Sequence, residues 1–168
     1  MHAHRKKFRL VVGSDGAGRE YGNALAADMR ASELVASVID IGLDGQTRSA
    51  YPEVAIAAGK LIADCRADRA LLVCHTGLGM AIAANKVRGV RAVTAHDPLS
   101  VRASVLSNNA QVLALGQGVI GLALARRLTV EWLAHHFDDP PSAVAKLGTI
   151  RAFEYLHSPA ECPPDQPH

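Results

Sequence analysis

The amino-acid sequence predicts an α/β fold with a doubly wound, Rossmann-like, five-stranded parallel sheet that carries helices on both faces. Short apolar runs alternate with longer segments of helical periodicity along the 168 residues. The length suits one domain with a sizeable core, and neither a repeat nor an interdomain linker is visible. Strand and helix alternation of this kind requires crossover connections, so we expect a parallel sheet.

Each predicted strand is a short apolar run, as strands buried on both faces require. In chain order the strands are Phe8–Val12, Ser37–Ile41, Ala70–Cys74, Arg91–Ala95 and Gln111–Leu115. The segments between them have helical spacing and are Glu20–Ala31, Val54–Ala63, Met80–Val87, Pro98–Ser107 and Val119–His135. A final helix, Ser142–Leu156, follows the break at residues 138–141. We expect one domain over residues 8–157, with flexible termini at residues 1–7 and 158–168.

Composition excludes several classes of function. A net charge of +2 and an aromatic content of 4% do not favour nucleic acid or a membrane surface as a partner. No apolar run reaches the ~18 residues of a membrane span, and the basic start leads into a strand-like run. The three cysteines lack metal-ligand spacing, and their odd number favours reduced thiols in the cytoplasm. We therefore expect a cytoplasmic protein without a metal site.

Cys74 is the most informative residue. It ends the third predicted strand, Gly77 and Gly79 break the apolar pattern, and a helical pattern follows. Free backbone N–H groups and the positive end of the helix dipole meet at such a place and favour an anion, including a thiolate. A thiolate there suits proton transfer beside a developing oxyanion. The alternative is a buried cysteine that packs as a small hydrophobic residue.

Two further polar segments follow predicted strands. Ser14 and Asp15 follow the first strand, and His96-Asp97 follows the fourth, so both should lie with Cys74 at the carboxyl edge of the sheet. The glycines of segment 13–18 do not form a dinucleotide-binding fingerprint. Asp15 is either a turn or helix-capping residue or a carboxylate that accepts hydrogen bonds from substrate hydroxyls.

Taken together, these motifs make residues 8–156 resemble the ribose-5-phosphate isomerase B and galactose-6-phosphate isomerase family. The resemblance is closest to the branch of erythrulose-4-phosphate isomerases. The segments that carry the resemblance are 13–18, Ala50-Tyr51-Pro52, 73–79, 83–86, 89–92, Asn108-Asn109 and 112–121, with 91–97 and 106–109 typical of the branch.

The resemblance implies an aldose–ketose isomerase that needs no metal or organic cofactor. It also implies a homodimer, or a dimer of dimers, with an active site between subunits and a last helix that reaches the partner. Cys74 would move the proton between C1 and C2, and Thr76 would shuttle protons on the oxygens. The remaining expected site residues, which stabilise the enediolate or bind the substrate, are His75, Gly77, Leu78, Gly79, Asp15, Tyr51, Asn108, Asn109 and Lys146.

Two departures from the family pattern bear on the substrate. Gly16 and Asn108 stand where ribose-type members have histidines associated with opening a furanose ring. Their joint absence suggests a substrate that stays open, and a four-carbon sugar phosphorylated at O4 has no hydroxyl free to close a five-membered ring. The sequence thus favours D-erythrulose 4-phosphate and D-erythrose 4-phosphate, with ribose 5-phosphate and ribulose 5-phosphate as the alternative pair.

Two other departures affect the anion site. His75 replaces a family glycine, and its ring would crowd the site, assist Cys74 or point away. Gly118 stands where the family commonly has arginine, and the family's arginines in the last helix are missing. Lys146 is the best remaining cation for the phosphate, ahead of Arg48. These gaps leave open a non-catalytic protein that binds a sugar phosphate or serves as a subunit partner.

Overall fold

Strands and helices alternate through the residues that the computed structural model describes, which are 7–45 and 49–156. The strands are β1 Phe8–Ser14, β2 Val35–Ile41, β3 Arg69–Cys74, β4 Ala92–Thr94 and β5 Val112–Gly116. The helices are α1 Arg19–Arg30, α2 Tyr51–Ala63, α3 Leu78–Ala84, α4 Pro98–Leu106, α5 Leu122–Ala134 and α6 Pro141–Leu156.

All strand pairs are parallel, and the strand order is β2-β1-β3-β5-β4. The chain therefore extends the sheet from β1 to β2 and then crosses back to place β3 on the other side of β1. This reversal creates a switch point between the carboxyl ends of β1 and β3, where sheets of this kind bind ligands. The predicted doubly wound α/β fold is confirmed.

Two apolar layers cover the sheet. Alternate residues of β3 divide between them, since Leu71 and Val73 face the layer with α1, α4 and α5, while Leu72 and Cys74 face α2 and α3. Trp132 of α5 is fully buried in the first layer. The second layer is rich in alanine, which lets α2 and α3 pack closely against the strands.

Helix α2 begins earlier than predicted. The sequence pattern placed its start at Val54, whereas the structure starts it at Tyr51, with Pro52 in the first turn. The backbone N–H of Ala50 donates to Glu53 Oε2 at 3.1 Å, which closes the first turn through a side chain. Tyr51 is thus held on a helix and not on a mobile loop.

The chain divides into two compact units, with the boundary between Asp138 and Asp139. The larger unit holds the sheet and helices α1 to α5, and the described part of the smaller unit contains helix α6 with Lys146. The single domain over residues 8–157 therefore stays a prediction. The segments expected to be flexible lie almost entirely outside the described residues.

Candidate active site

The turn after β3 aims a backbone donor at the sulfur of Cys74. Gly77 adopts a left-handed conformation with φ of +80°, and its N–H donates to Cys74 Sγ at 3.1 Å. This conformation favours glycine, and an added Cβ would also lie 3.1 Å from the carbonyl oxygen of Ala114. Cys74 is 5% exposed, so it combines the buried packing and the polarised sulfur that the sequence offered as alternatives.

The first turn of α3 uses its own side chains to satisfy two of its donors. Gly77 N–H reaches the Cys74 sulfur, and Leu78 N–H donates to Thr76 Oγ1 at 3.3 Å. Thr94 Oγ1 in turn donates to the Gly77 carbonyl at 3.0 Å, which ties this turn to the end of β4. A ligand oxygen would therefore have to take over the Leu78 donor from the Thr76 hydroxyl.

Tyr51 packs against this turn. A Cβ on Gly79 would lie 2.5 Å from Tyr51 Cε2, so the ring occupies the space directly above the Gly79 backbone. Tyr51 remains 42% exposed. The structure thus brings Tyr51 to the segment 76–79, and its contact with substrate stays a prediction.

The loop after β1 lies directly on the end of β3. A Cβ on Gly18 would lie 2.3 Å from the Val73 carbonyl oxygen and 2.8 Å from the Cys74 nitrogen, so only glycine permits this approach. Asp15 Oδ1 accepts hydrogen bonds from Ala17 N–H and Gly18 N–H, both at 3.0 Å. Asp15 therefore has the turn role considered from the sequence, and its second oxygen makes no hydrogen bond to any described residue.

His75 and Gly118, the two departures noted at the anion site, are in contact. Gly118 N–H donates to the His75 carbonyl at 2.9 Å, and a Cβ on Gly118 would lie 2.3 Å from the imidazole Cε1. The His75 ring therefore occupies the space that a side chain at position 118 would need. An arginine at position 118 is therefore incompatible with this placement of the His75 ring, because both side chains would need the same space.

His96, which follows β4, supports the end of β5 beside the site. Its Nε2 accepts the N–H of Gly116 at 2.9 Å, and Gly116 pairs with Cys74 in the sheet. Burial lowers the pKa of His96 from its ordinary value, and Asp97 opposes this weakly. Asp97 itself caps α4 by accepting Ser100 N–H at 2.8 Å, and hydrogen bonds from Ser100 lower the pKa of this carboxyl.

Asn108 and Asn109 lie at the other edge of the sheet. Helix α4 carries the chain from the carboxyl end of β4 back to the amino end of β5, and the two residues follow it. Arg91, which directly precedes β4, donates through Nε to the carbonyl oxygens of Asn108 and Asn109 at 3.1 and 2.9 Å. Within one chain these asparagines are therefore separated from Cys74 by the length of the strands.

The other candidates fall outside the larger unit or outside the described chain. Lys146 belongs to the smaller unit, and Arg48 and Cys162 lie beyond the described residues. In the described part of the chain, no cluster of three or more His, Cys, Asp or Glu residues could hold a metal ion. No helix there is long and apolar enough to cross a membrane.

Comparison with known proteins identifies the family of this chain. The family described as Ribose/Galactose Isomerase matches residues 10–150. The chain belongs to this family. It is 54% identical over 148 residues to D-erythrulose-4-phosphate isomerase 2 of Mycolicibacterium smegmatis, covering 88% of this chain and 97% of that protein. It is 38% identical to the D-erythrulose-4-phosphate isomerase of Pectobacterium atrosepticum, over 83% of this chain and 92% of that protein.

A solved structure of the family has the same fold. The ribose-5-phosphate isomerase B of Clostridium thermocellum superposes with a TM-score of 0.83 at 32% identity, covering 89% of this chain and 99% of that chain. The ribose-5-phosphate isomerase B of Escherichia coli is 34% identical over 77% of this chain and 86% of that protein. As a member of this isomerase family, the protein is an aldose–ketose isomerase of sugar phosphates.

The partly buried ring of His96 predicts a pH-dependent stability. Because burial lowers its pKa in the folded state, the contribution of neutral His96 is complete above about pH 6.5 and is lost as the pH falls through the lowered value. A His96→Gln variant keeps an acceptor for Gly116 N–H but does not titrate. Its urea midpoint should fall less than that of the wild type between about pH 7.5 and pH 5. Equal falls would contradict this role.

Proposed function

We propose that this isomerase interconverts D-erythrulose 4-phosphate and D-erythrose 4-phosphate through an enediolate. The main support is the 54% identity to a D-erythrulose-4-phosphate isomerase across nearly the whole of both chains. Gly16 adds a local argument, since a Cβ at this position would meet nothing within 4 Å. The space at the first side-chain atom does not exclude a histidine, which supports a substrate that needs no ring opening.

Cys74 is the base in the proposed mechanism. Its sulfur removes a proton from C1 of the ketose, the electron pair forms the C1–C2 double bond, and the carbonyl oxygen at C2 takes the negative charge. The same sulfur then returns a proton to C2, and the aldehyde forms at C1. The Gly77 N–H at 3.1 Å favours the thiolate that this role needs. A positioned base of this kind contributes roughly 100- to 10,000-fold to the rate.

Thr76 and Leu78 act together on the substrate oxygens. When the Thr76 hydroxyl turns to the substrate, it releases the Leu78 N–H that it now accepts at 3.3 Å. The freed N–H can then stabilise the enediolate oxygen, an interaction worth about 3 kcal/mol for one preorganised donor. The hydroxyl moves a proton between the oxygens on C1 and C2. His75 and Gly79 line the same turn, and Asp15 and Tyr51 hold the substrate hydroxyls.

A second copy of the chain completes the proposed site. Asn108 and Asn109 bind substrate, yet they lie at the edge of the sheet opposite to Cys74, so they must serve the site of a partner. Helix α4 leads to them and exposes Leu99 by 75% beside a groove of about 280 Å³ that Arg102, Ala103 and Leu106 also line. An interface along α4 would bury this surface in a symmetric homodimer.

The proposal also covers the position of helix α6, the absence of a cofactor and the cellular compartment. We place α6, with Lys146, against the partner subunit, and no metal or organic cofactor takes part. Cys65 and Cys74 are both free, which suits the reducing conditions of the cytoplasm.

The substrate is tested by assaying the purified protein with both ketose phosphates in deuterated water. The value of kcat/KM for D-erythrulose 4-phosphate should exceed that for D-ribulose 5-phosphate by at least about tenfold, the discrimination that one or two unfavourable contacts supply. A preference for the pentose would refute the ring-opening argument. Failure to exchange solvent deuterium into either sugar would leave only the non-catalytic alternative.

Replacing the base separates catalysis from folding. A Cys74→Ala variant should lose roughly 100- to 10,000-fold in the rate of deuterium exchange, because it lacks the proposed base. The matched control is Cys65→Ser, which changes an exposed thiol elsewhere and should keep full activity. Substantial exchange by Cys74→Ala would reject the sulfur as the base.

Mixing two inactive variants tests the shared site. Cys74→Ala and Asn109→Ala should each be inactive as homodimers, but a mixed dimer has one site with both native residues. Random reassociation should therefore restore about a quarter of the wild-type activity, since half of the dimers are mixed and each regains one of two sites. If the mixture stays inactive while subunit exchange is demonstrated, both residues belong to a site within one chain.

A further inference from the structure

A cleft of about 510 Å³ opens beside the proposed site, between the loops that follow β1 and β2. Its lining residues are Asp15, Gly16, Arg19, Gly45, Ser49 and Ala50. It borders two expected substrate-binding residues, because Asp15 belongs to its wall and Tyr51 directly follows Ala50. The register of β1 on β3 pairs Ser14 with Val73, so Asp15 and Cys74 stand side by side at the sheet edge. The cleft therefore lies on the β2 side of the proposed site.

Arg19, the first residue of α1, lines this cleft and carries an unmatched donor behind its guanidinium tip. Its Nε is fully buried and has no hydrogen-bond partner among residues 7–45 and 49–156. Its guanidinium lies beside Gly45, where an added Cβ would be 3.7 Å from Nη1. No described carboxylate forms an ion pair with it, in contrast to Arg9, which pairs with Asp68 at 2.8 Å.

The missing partner of Arg19 has the character of an anion. A buried donor without an acceptor is unfavourable, and a phosphate oxygen would satisfy a guanidinium donor with a charge-assisted hydrogen bond. The guanidinium fork matches phosphate geometry, and the positive end of the twelve-residue helix α1 adds to the attraction. Asp15 also lines the cleft, and the N–H groups of Ala17 and Gly18 that donate to its Oδ1 offset part of the negative charge of this carboxylate.

The position of the cleft suits the far end of a short sugar phosphate. Gly45 follows β2, which is separated from β3 by β1 alone, so the cleft ends about two strand spacings, or ~10 Å, from Cys74. An extended four-carbon phosphate ester with its C1 at the sulfur would reach this wall. We propose that Arg19 binds the phosphate group of the substrate, a role that rests on the proposed function.

The test compares Arg19→Gln and Arg19→Lys with Arg30→Gln, which changes the exposed arginine at the other end of the same helix. Arg19→Gln should raise the KM for D-erythrulose 4-phosphate by about 10- to 100-fold with a smaller change in kcat, as for a lost charge-assisted contact. Arg19→Lys should recover part of this loss. Arg30→Gln should behave as the wild type.

Inhibition by two further ligands separates phosphate binding from a structural role. Inorganic phosphate should inhibit the wild type competitively and lose at least about tenfold in affinity for Arg19→Gln. Unphosphorylated D-erythrulose, which lacks the anion, should bind both proteins equally. Equal losses for phosphate and for the neutral sugar would overturn the proposal, as would an unchanged KM and unchanged phosphate inhibition.

Calorimetric titration with inorganic phosphate keeps this inference separate from the proposed function. If wild-type protein binds phosphate, Arg19→Gln does not, and neither ketose phosphate exchanges deuterium, Arg19 is supported while the isomerase proposal fails. If the wild type exchanges deuterium and Arg19→Gln binds phosphate as tightly as the wild type, the isomerase proposal stands. Arg19 is then excluded as the phosphate-binding residue.

Discussion

The hydrogen bond from Gly77 N–H to the Cys74 sulfur is the interaction on which the proposed site depends. It forms only because Gly77 takes a left-handed conformation that returns the chain over the end of β3. The same turn starts α3, joins Thr76 and Leu78 by a hydrogen bond, and is tied to β4 through Thr94. A buried thiol with a donor at 3.1 Å can stabilise charge on sulfur, which a thiol packed only against apolar groups would not do.

A second constraint brings the neighbouring loop to the sulfur. Gly18 lies so close to the backbone of Val73 and Cys74 that any side chain would collide with β3. This contact places Asp15 beside Cys74 at the switch point of the sheet, where the chain order reverses. The loop after β5 completes the arrangement, because Gln117 N–H donates to the Cys74 carbonyl at 2.9 Å. Close backbone contacts thus help to hold three separate chain segments around one sulfur.

The sequence predicts most of the fold and the turn that carries Cys74. The parts of the site that it does not predict have physical reasons. Apolar runs and glycine breaks predict all five strands and the turn after Cys74, because burial and left-handed backbone leave direct marks in the residue types. The start of α2 at Tyr51 was missed, since a Glu53 side chain closes its first turn. The contact of His75 with Gly118 and the unsatisfied Nε of Arg19 arise between distant segments and have no local sequence pattern.

Catalysis as proposed requires the reacting carbons of the substrate to lie next to Cys74 Sγ and the 74–79 turn. A crystal structure with a planar hydroxamate analogue of the enediolate, phosphorylated at its far end, measures this directly. The account predicts that an analogue oxygen takes over the Leu78 N–H from Thr76 while Cys74 Sγ contacts the carbon skeleton. An analogue bound with its planar group away from the 74–79 turn, and with the Leu78 N–H still held by Thr76, would contradict it.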